Sequence, residues 1–398
     1  MTGPAVTGPF GLGAALAERE QASLLRSRIA TDGASGGRLR VAGRDYLNFS
    51  ANDYLGLADH PAIKAAFNAG IERYGTGSGA SPLVTGYSHA HQQLEETLAE
   101  WLGVEAVLLF NCGFSANQAV LKALLGKEHL LWQDKLNHAS LQEMGSQLPC
   151  KMKRFAHNDM AALERQLEPN RGLIVSEGVF SMDGDQAPWG ELATLAARSG
   201  NWLMIDDAHG LGVLGSEGRG TLAAQGVPPA SVHIQMGTFG KALGVAGAFV
   251  GGSRELVEYL VNFARHYVYS THMPAAQACA VSNSIELVRA ADEARAHLGQ
   301  LIARFRQGAK DQGWQLGASD TPIQPLLVGE SSVALQLAER LRERGVWVSA
   351  IRPPTVPVGT ARLRITLSAA HRERDVDRLL DALGVCPAEA TVGEAHYG

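Results

Sequence analysis

The chain has 398 residues, 45% of them hydrophobic, and carries 35 Lys and Arg against 40 Asp and Glu, a formal net charge of −5. That length exceeds what one hydrophobic core supports, so a large domain with a smaller companion is expected. The acidic balance (pI ≈ 6.2) and the lack of any Lys/Arg block argue against nucleic acid or anionic membrane as the main partner and leave small metabolites.

The four cysteines, Cys112, Cys150, Cys279 and Cys386, form no Cys-x-x-Cys pair. A chain of this size needs no disulfide staples, so a reducing cytoplasm is the expected location. Met1 to Phe10 lacks a basic start and an apolar run, and no later stretch approaches the roughly 18 unbroken apolar residues of a membrane span. A cytoplasmic chain without membrane attachment is expected.

In chain order, a disordered Gly/Pro start precedes an amphipathic helix within residues 11–30, carried by Leu12, Leu16, Leu24, Leu25 and Ile29. Leu39-Arg40-Val41 and Tyr46-Leu47-Asn48-Phe49, joined by Ala42-Gly43-Arg44-Asp45, predict a hairpin. From about residue 60 the pattern alternates. Helices are expected near 61–73, 90–101, 114–126, 160–168 and 190–199, with strands near 105–110, 129–132, 172–176, 202–206, 232–236 and 246–250. That rhythm signals βαβ units. Strands such as Leu173-Ile174-Val175 and Leu203-Met204-Ile205 are continuously apolar, as strands covered on both faces must be. The fold class is therefore α/β with a mostly parallel central sheet flanked by helices.

After residue 275 a long helical stretch, Ala275 to Gln312, leads to a strand at 323–328, a helix at 332–344, strands at 346–349 and 362–367, and a helix near 373–383. This is a smaller C-terminal α+β domain. The expected division is an N-terminal helix and hairpin segment (1–48), a large domain (49–285), a small domain (286–390) and a tail (391–398); the stretch after Cys386 has no apolar period and is expected to fray.

The chemistry lies at strand ends. Asp206, in Ile205-Asp206-Asp207-Ala208-His209, and Lys241, in Thr238-Phe239-Gly240-Lys241, are one strand-helix-strand step apart and so share the carboxyl edge of a parallel sheet. A lysine amine that forms a Schiff base and a carboxylate that keeps a pyridine nitrogen protonated are the two halves of a pyridoxal 5'-phosphate site. Asn111-Cys112-Gly113-Phe114 opens a helix after an apolar strand, where backbone N–H groups suit a phosphate. His138 and His209 follow other apolar segments, where one can stack on a ring and the other can bond its phenolic oxygen. Ser181 is a candidate donor to the cofactor. The acidic run Asp183-Gly184-Asp185 lacks the ligand spacing of a calcium loop, so no metal is expected. The loop Gly75–Ser81 fits neither a P-loop nor a dinucleotide fingerprint. Arg26, Arg28 and Arg352 are candidates for carboxylate or thioester-carrier groups, Arg352 being fixed among three prolines.

Five runs, YLNFSANDYLGL (46–57), SEGVFSMDGD (176–185), DDAHG (206–210), FARH (263–266) and AIRPPTVP (350–357), resemble the α-oxoamine synthases. These are pyridoxal-phosphate enzymes of fold type I, the aspartate-aminotransferase fold, and the resemblance covers nearly the whole chain. Within the family the runs are most similar to members of biotin biosynthesis that condense L-alanine with pimeloyl-CoA or a pimeloyl carrier protein, with loss of CO2. The resemblance implies a homodimer with its sites at the subunit interface. It implies catalytic roles for Lys241, Asp206, His209 and His138: Lys241 carries the cofactor, Asp206 pairs with the pyridine nitrogen, His209 with the phenolic oxygen, and His138 stacks on the ring. Gly113, Phe114, Ser181 and Thr238 complete the cofactor site. Arg26 and Thr355 match substrate-binding positions, beside His138, and Asn52 with Arg352 would hold the amino-acid carboxylate. One departure is Pro82, where many relatives carry arginine. The rival readings are a sister synthase using glycine or another acyl-CoA, a plain aminotransferase, and a non-catalytic regulator of the same fold.

Overall fold

A computed structural model describes residues 10–34 and 36–387. The expected disorder of the first residues and fraying of the tail fall outside that range, apart from Phe10 and Pro387.

Seven strands form the central sheet, in the order Ala106–Phe110, Ala248–Gly252, Ile234–Thr238, Trp202–Asp206, Gly172–Glu177, Leu130–Asp134 and Lys151–Phe155. Every neighbouring pair is parallel except the two made by Ala248–Gly252, which runs against both of its neighbours. The continuous apolar runs are explained by two covered faces. Leu131, Leu173, Val175, Met204 and Met236 pack with Val120, Leu141 and Leu260 of the helices Gly113–Leu124, Ala139–Gln147 and Arg254–Phe263. The alternate residues Trp132, Ile174, Leu203 and Ile205 pack with Leu163, Trp189 and Leu192 of Met160–Gln166 and Trp189–Ser199. Each fully buried side chain of this size contributes about 1.5–3 kcal/mol relative to exposure.

Because these strands are parallel, the segments that leave their carboxyl ends emerge on one edge. Phe110 leads to Gly113, Asp134 to His138, Glu177 to Ser181, Asp206 to His209 and Thr238 to Lys241. That edge is where the candidate residues were expected to meet.

A second sheet orders Ile323–Gly329, Ala361–Thr366 and Ser349–Ile351, all antiparallel. The helices Asp292–Asp311, Ser331–Glu343 and Glu373–Leu383 supply its buried partners. The N-terminal hairpin, Arg38–Val41 with Arg44–Asn48, is extended by Val346–Trp347, which runs parallel to its second strand.

Several elements differ from the expectation. Lys151–Phe155 is a strand, the sheet's last one, and its charged KMKRF sequence is that of a protected edge. Helices Ala139–Gln147 and Arg254–Phe263 were unforeseen. The stretch from Ala275 is two helices, Ala275–Arg289 and Asp292–Asp311, parted at Ala290 and Ala291. The strand expected at 346–349 divides at Val348 between the two smaller sheets. Among the described residues, no helix is long and apolar enough to cross a membrane, and no group of three or more His, Cys, Asp or Glu is placed to hold a metal.

Candidate active site

Lys241 follows its strand through a tight turn. Phe239, fully buried, anchors the turn and exchanges backbone bonds with Gly247 and Val245. Gly244 has φ +67°, and a Cβ there would lie 2.5 Å from the Ala58 nitrogen, so only glycine closes the turn. The amine is carried inward. Its Nζ lies 2.8 Å from His209 Nε2, and His209 Nδ1 lies 2.6 Å from the Tyr54 hydroxyl. Burial lowers the Lys241 pKa to about 8 against the opposing pull of Asp206 and Glu177. Such an amine holds a substantial unprotonated fraction near neutral pH, as a nucleophile or base must. Burial, with Lys241 and Arg364 nearby, also holds His209 well below the ordinary imidazole range, so its ring is neutral.

Asp206 is 4% exposed at the end of its strand. Oδ1 accepts from the Ala208 N–H at 3.1 Å, and Oδ2 accepts from Asn117 Nδ2 at 2.7 Å. Its neighbour Asp207 has a different task. It binds the Thr221 hydroxyl (2.6 Å) and backbone N–H (2.7 Å), and Gly178, Gly210 and Gly220 pack so closely on it that any Cβ would collide. Asp207 is a structural clamp and Asp206 faces the site.

Glu177 pairs in register with Asp206 on the adjacent strand and is buried. Burial and the Asp206 charge raise its pKa well above the carboxylate range, and it accepts from the His138 backbone. His138 caps the helix Ala139–Gln147 through Ser140, and Phe114 stands edge-on to its ring at 6.3 Å. Gly113 begins the helix Gly113–Leu124, whose N-terminus has no side-chain cap, and it packs beside Met236 and Thr238. Thr238 Oγ1 donates to the Gly247 carbonyl (2.8 Å) and receives the Gly240 N–H (3.3 Å).

This set fits pyridoxal phosphate. The amine, on a half-buried lysine, has a depressed pKa, a buried carboxylate stands on the same edge, and an uncapped helix N-terminus offers N–H groups to a phosphate. Glu177 Oε1 and Asn137 Oδ1 are also buried without a partner, polar capacity that a bound group can use.

The substrate candidates divide. Asn52 Oδ1 accepts from Tyr54 (3.3 Å) and from Arg364 Nη1 (3.1 Å); it is Arg364, not Arg352, that reaches it. Arg364 is 7% exposed, and its Nε donates to the Ser181 carbonyl at 2.7 Å. Two places along its strand, Arg362 donates to Asp183 Oδ1 (2.5 Å) and to the Met182 carbonyl (3.3 Å). Arg352 bonds the Ser23 carbonyl, and Arg26 Nη2 donates to Thr355 Oγ1 at 2.9 Å. Arg26, His138, Ser181 and Thr355 line one cavity of about 800 Å³, together with Lys135 and Arg154. Arg28 has no part in that lining. The Gly75–Ser81 loop is tied instead to the segment before Ala275, through Ser78 to the Met273 carbonyl (2.5 Å) and His272 to the Ala80 carbonyl (3.0 Å).

Sequence reasoning missed Arg364, Tyr54 and Asn117. A signal existed for the first: arginines alternate in Arg362-Leu363-Arg364-Ile365, on a strand every residue of which is buried.

The sequence model of the aminotransferase class I and II family matches residues 44–383. An 8-amino-7-oxononanoate synthase from Aeromonas hydrophila subsp. hydrophila is 89% identical over 396 residues, covering 100% of both chains. Among solved structures, a serine palmitoyltransferase from S. paucimobilis with PLP and myriocin bound superposes with TM-score 0.88 at 27% identity, covering 94% of this chain and 96% of that one. An 8-amino-7-oxononanoate synthase from Francisella tularensis gives TM-score 0.76 at 28% identity, covering 85% and 96%.

Proposed function

The chain belongs to the aminotransferase class I and II family, and from that premise we propose that it makes 8-amino-7-oxononanoate from L-alanine and a pimeloyl thioester. The reaction releases the thiol and CO2, and the cofactor is pyridoxal 5'-phosphate. The observation that carries the substrate assignment is the full-length 89% identity to a relative named for that product.

When bound, the cofactor supplies an electron-withdrawing ring that stabilises negative charge at the substrate Cα. Asp206 would hold the ring nitrogen protonated: a carboxylate about 4 Å from a cation contributes on the order of 4 kcal/mol at an effective dielectric near 20. Lys241 Nζ removes the Cα proton of alanine, held in place by His209 at 2.8 Å. Arg364 grips the alanine carboxylate: only some of its five N–H groups are committed to Ser181 and Asn52. Asn52 therefore orients the guanidinium. His138 would stack on the ring, and Gly113, Phe114, Ser181 and Thr238 would complete the cofactor site. Arg26 and Thr355 bind the thioester in the cavity that they share with His138, and Arg352, next to Pro353 of its lining, ties that segment to the Ser23 carbonyl.

Residues 49–285 act as the cofactor-binding domain, and residues 286–390 bring Arg362 and Arg364 to it. The active form is a homodimer in the cytoplasm. Its support is the exposed apolar surface of Val84 (73%), Phe263 (59%) and Tyr269 (71%), and the four free cysteines suit a reducing compartment.

The test is a matrix of L-alanine, glycine and L-serine against pimeloyl, acetyl, succinyl and palmitoyl thioesters, followed by free thiol. L-alanine with the pimeloyl thioester should give the highest kcat/KM. Faster turnover of another pair would reassign the chain to a sister synthase, and pyruvate from alanine without thiol would make it an aminotransferase.

A further inference from the structure

Two buried polar side chains join Asp206 to His138 and have no role in the reaction described above. Asn117, 1% exposed, lies on the helix that begins at Gly113; Ser140 is fully buried in the first turn of Ala139–Gln147. Asn117 Nδ2 stands 2.7 Å from Asp206 Oδ2 and 2.9 Å from Ser140 Oγ. Ser140 Oγ is 2.8 Å from His138 Nδ1.

The protons along this chain can be counted. A carboxylate only accepts, so the amide of Asn117 must present nitrogen, not oxygen, to Asp206. The second hydrogen of Nδ2 goes to Ser140 Oγ. The hydroxyl, already accepting there, has its own proton free for His138 Nδ1. The Ser140 backbone N–H also points at Nδ1, at 3.3 Å. A nitrogen receiving two donors carries no hydrogen, so the neutral imidazole bears its proton on Nε2.

We propose that Asn117 and Ser140 are positioning residues: they lock His138 in the Nε2–H tautomer and fix Asp206, so that one hydrogen-bond chain sets both the carboxylate that would pair with the ring nitrogen and the imidazole that would stack on the ring. Burial holds the His138 pKa below its ordinary value, with Asp206 opposing and Lys241 assisting, so the ring is neutral as the chain requires. His138 lines the substrate cavity, and its Nε2–H is a hydrogen-bond donor available there. Loss of the Ser140 hydroxyl leaves Nδ1 only the longer backbone N–H at 3.3 Å, so part of the population takes its proton on Nδ1 and presents an acceptor where the donor stood.

This inference rests on the cofactor assignment above, but its first measurement needs no substrate. In the holoenzyme labelled with 15N-histidine, with a His138→Asn variant to identify the signal among 13 histidines, the ring should show the Nε2–H pattern. An Nδ1–H pattern in the unmutated protein overturns the proposal, whatever any variant does. Ser140→Ala should yield a mixture of tautomers and lower kcat for thiol release by roughly tenfold, with KM for alanine changing less. Asn117→Leu should move the pH midpoint of the cofactor's visible absorption by about one unit, because Asp206 loses a charge-assisted partner. A Ser140→Ala protein with unchanged tautomer and kinetics would also refute the relay. If the unmutated enzyme shows the expected tautomer and no thiol release from any substrate pair, the functional reading fails and the relay stands.

Discussion

The strand edge that carries Lys241 and the flank that carries Arg26 and Thr355 meet at the cavity lined by His138 and Ser181 on one side and Arg26 and Thr355 on the other, but they are built differently. At the edge every heteroatom of the candidate site is held on a regular element or a short turn: Asp206 by Asn117 and Ala208, Lys241 by His209, and His209 by Tyr54. Those groups are largely withdrawn from water, where charge interactions are strong. On the flank, Arg26 and Thr355 are exposed, and they hold each other through one hydrogen bond between side chains far apart in sequence. The edge is preorganised for one cofactor. The flank is adaptable, as suits a long and partly flexible acyl carrier.

By this contrast, substitutions should lose effect as they move from edge to flank. Asp206→Asn should retain the cofactor yet slow exchange of the alanine Cα proton by about 10³-fold, the loss of roughly 4 kcal/mol. Deuterium exchange followed by NMR measures it, and unchanged exchange would remove Asp206 from the ring nitrogen. Arg364→Gln should raise KM for alanine by about 10- to 100-fold with a smaller change in kcat, since a charge-assisted pair is lost. An equal effect on the thioester KM would place Arg364 with the flank.

His157 tests how firmly the edge is supported from behind. It lies 3.0 Å from Asp134 and 2.7 Å from Asp185, and Phe180 packs on its ring. Burial opposes its charge, but the hydrogen bonds to Asp134 and Asp185 outweigh this and push the pKa to about 10. A pKa raised on folding gives stability that is complete below the unfolded value near 6.5 and is lost as the pH climbs through about 10. His157→Gln should therefore destabilise by roughly 1.5–3 kcal/mol at pH 6 and by much less above pH 10, read from urea melts at both pH values. A pH-independent difference would mean that His157 is not charged. Thr355→Val, at the outer flank, should change the thioester KM only two- to threefold, the size of one exposed hydrogen bond.

The same contrast explains what was legible in the sequence. The edge residues were readable because each sits where a local apolar run ends, and parallel strands bring such ends together. Asp206 was singled out as the residue that ends its strand, and the glycines packed on Asp207 give its neighbour the separate task of a clamp. For Arg364 the sequence offered only the alternation of arginines on its strand and not its role, because its partners Ser181 and Asn52 lie 183 and 312 residues away. Arg352 attracted attention through its prolines, a signal of rigidity that does not say what the side chain meets. The edge strand Lys151–Phe155 was hidden by the charges that protect it, and the break at Ala290–Ala291 by two residues that favour helix.

The most direct test supplies carboxyl-labelled L-alanine and pimeloyl-CoA to the purified protein and counts CO2 and free thiol together. The two should appear one for one, and Lys241→Ala should reduce both by roughly 10⁴-fold. Pyruvate without thiol from the unmutated chain, or substantial turnover by Lys241→Ala without an added amine, would contradict the account.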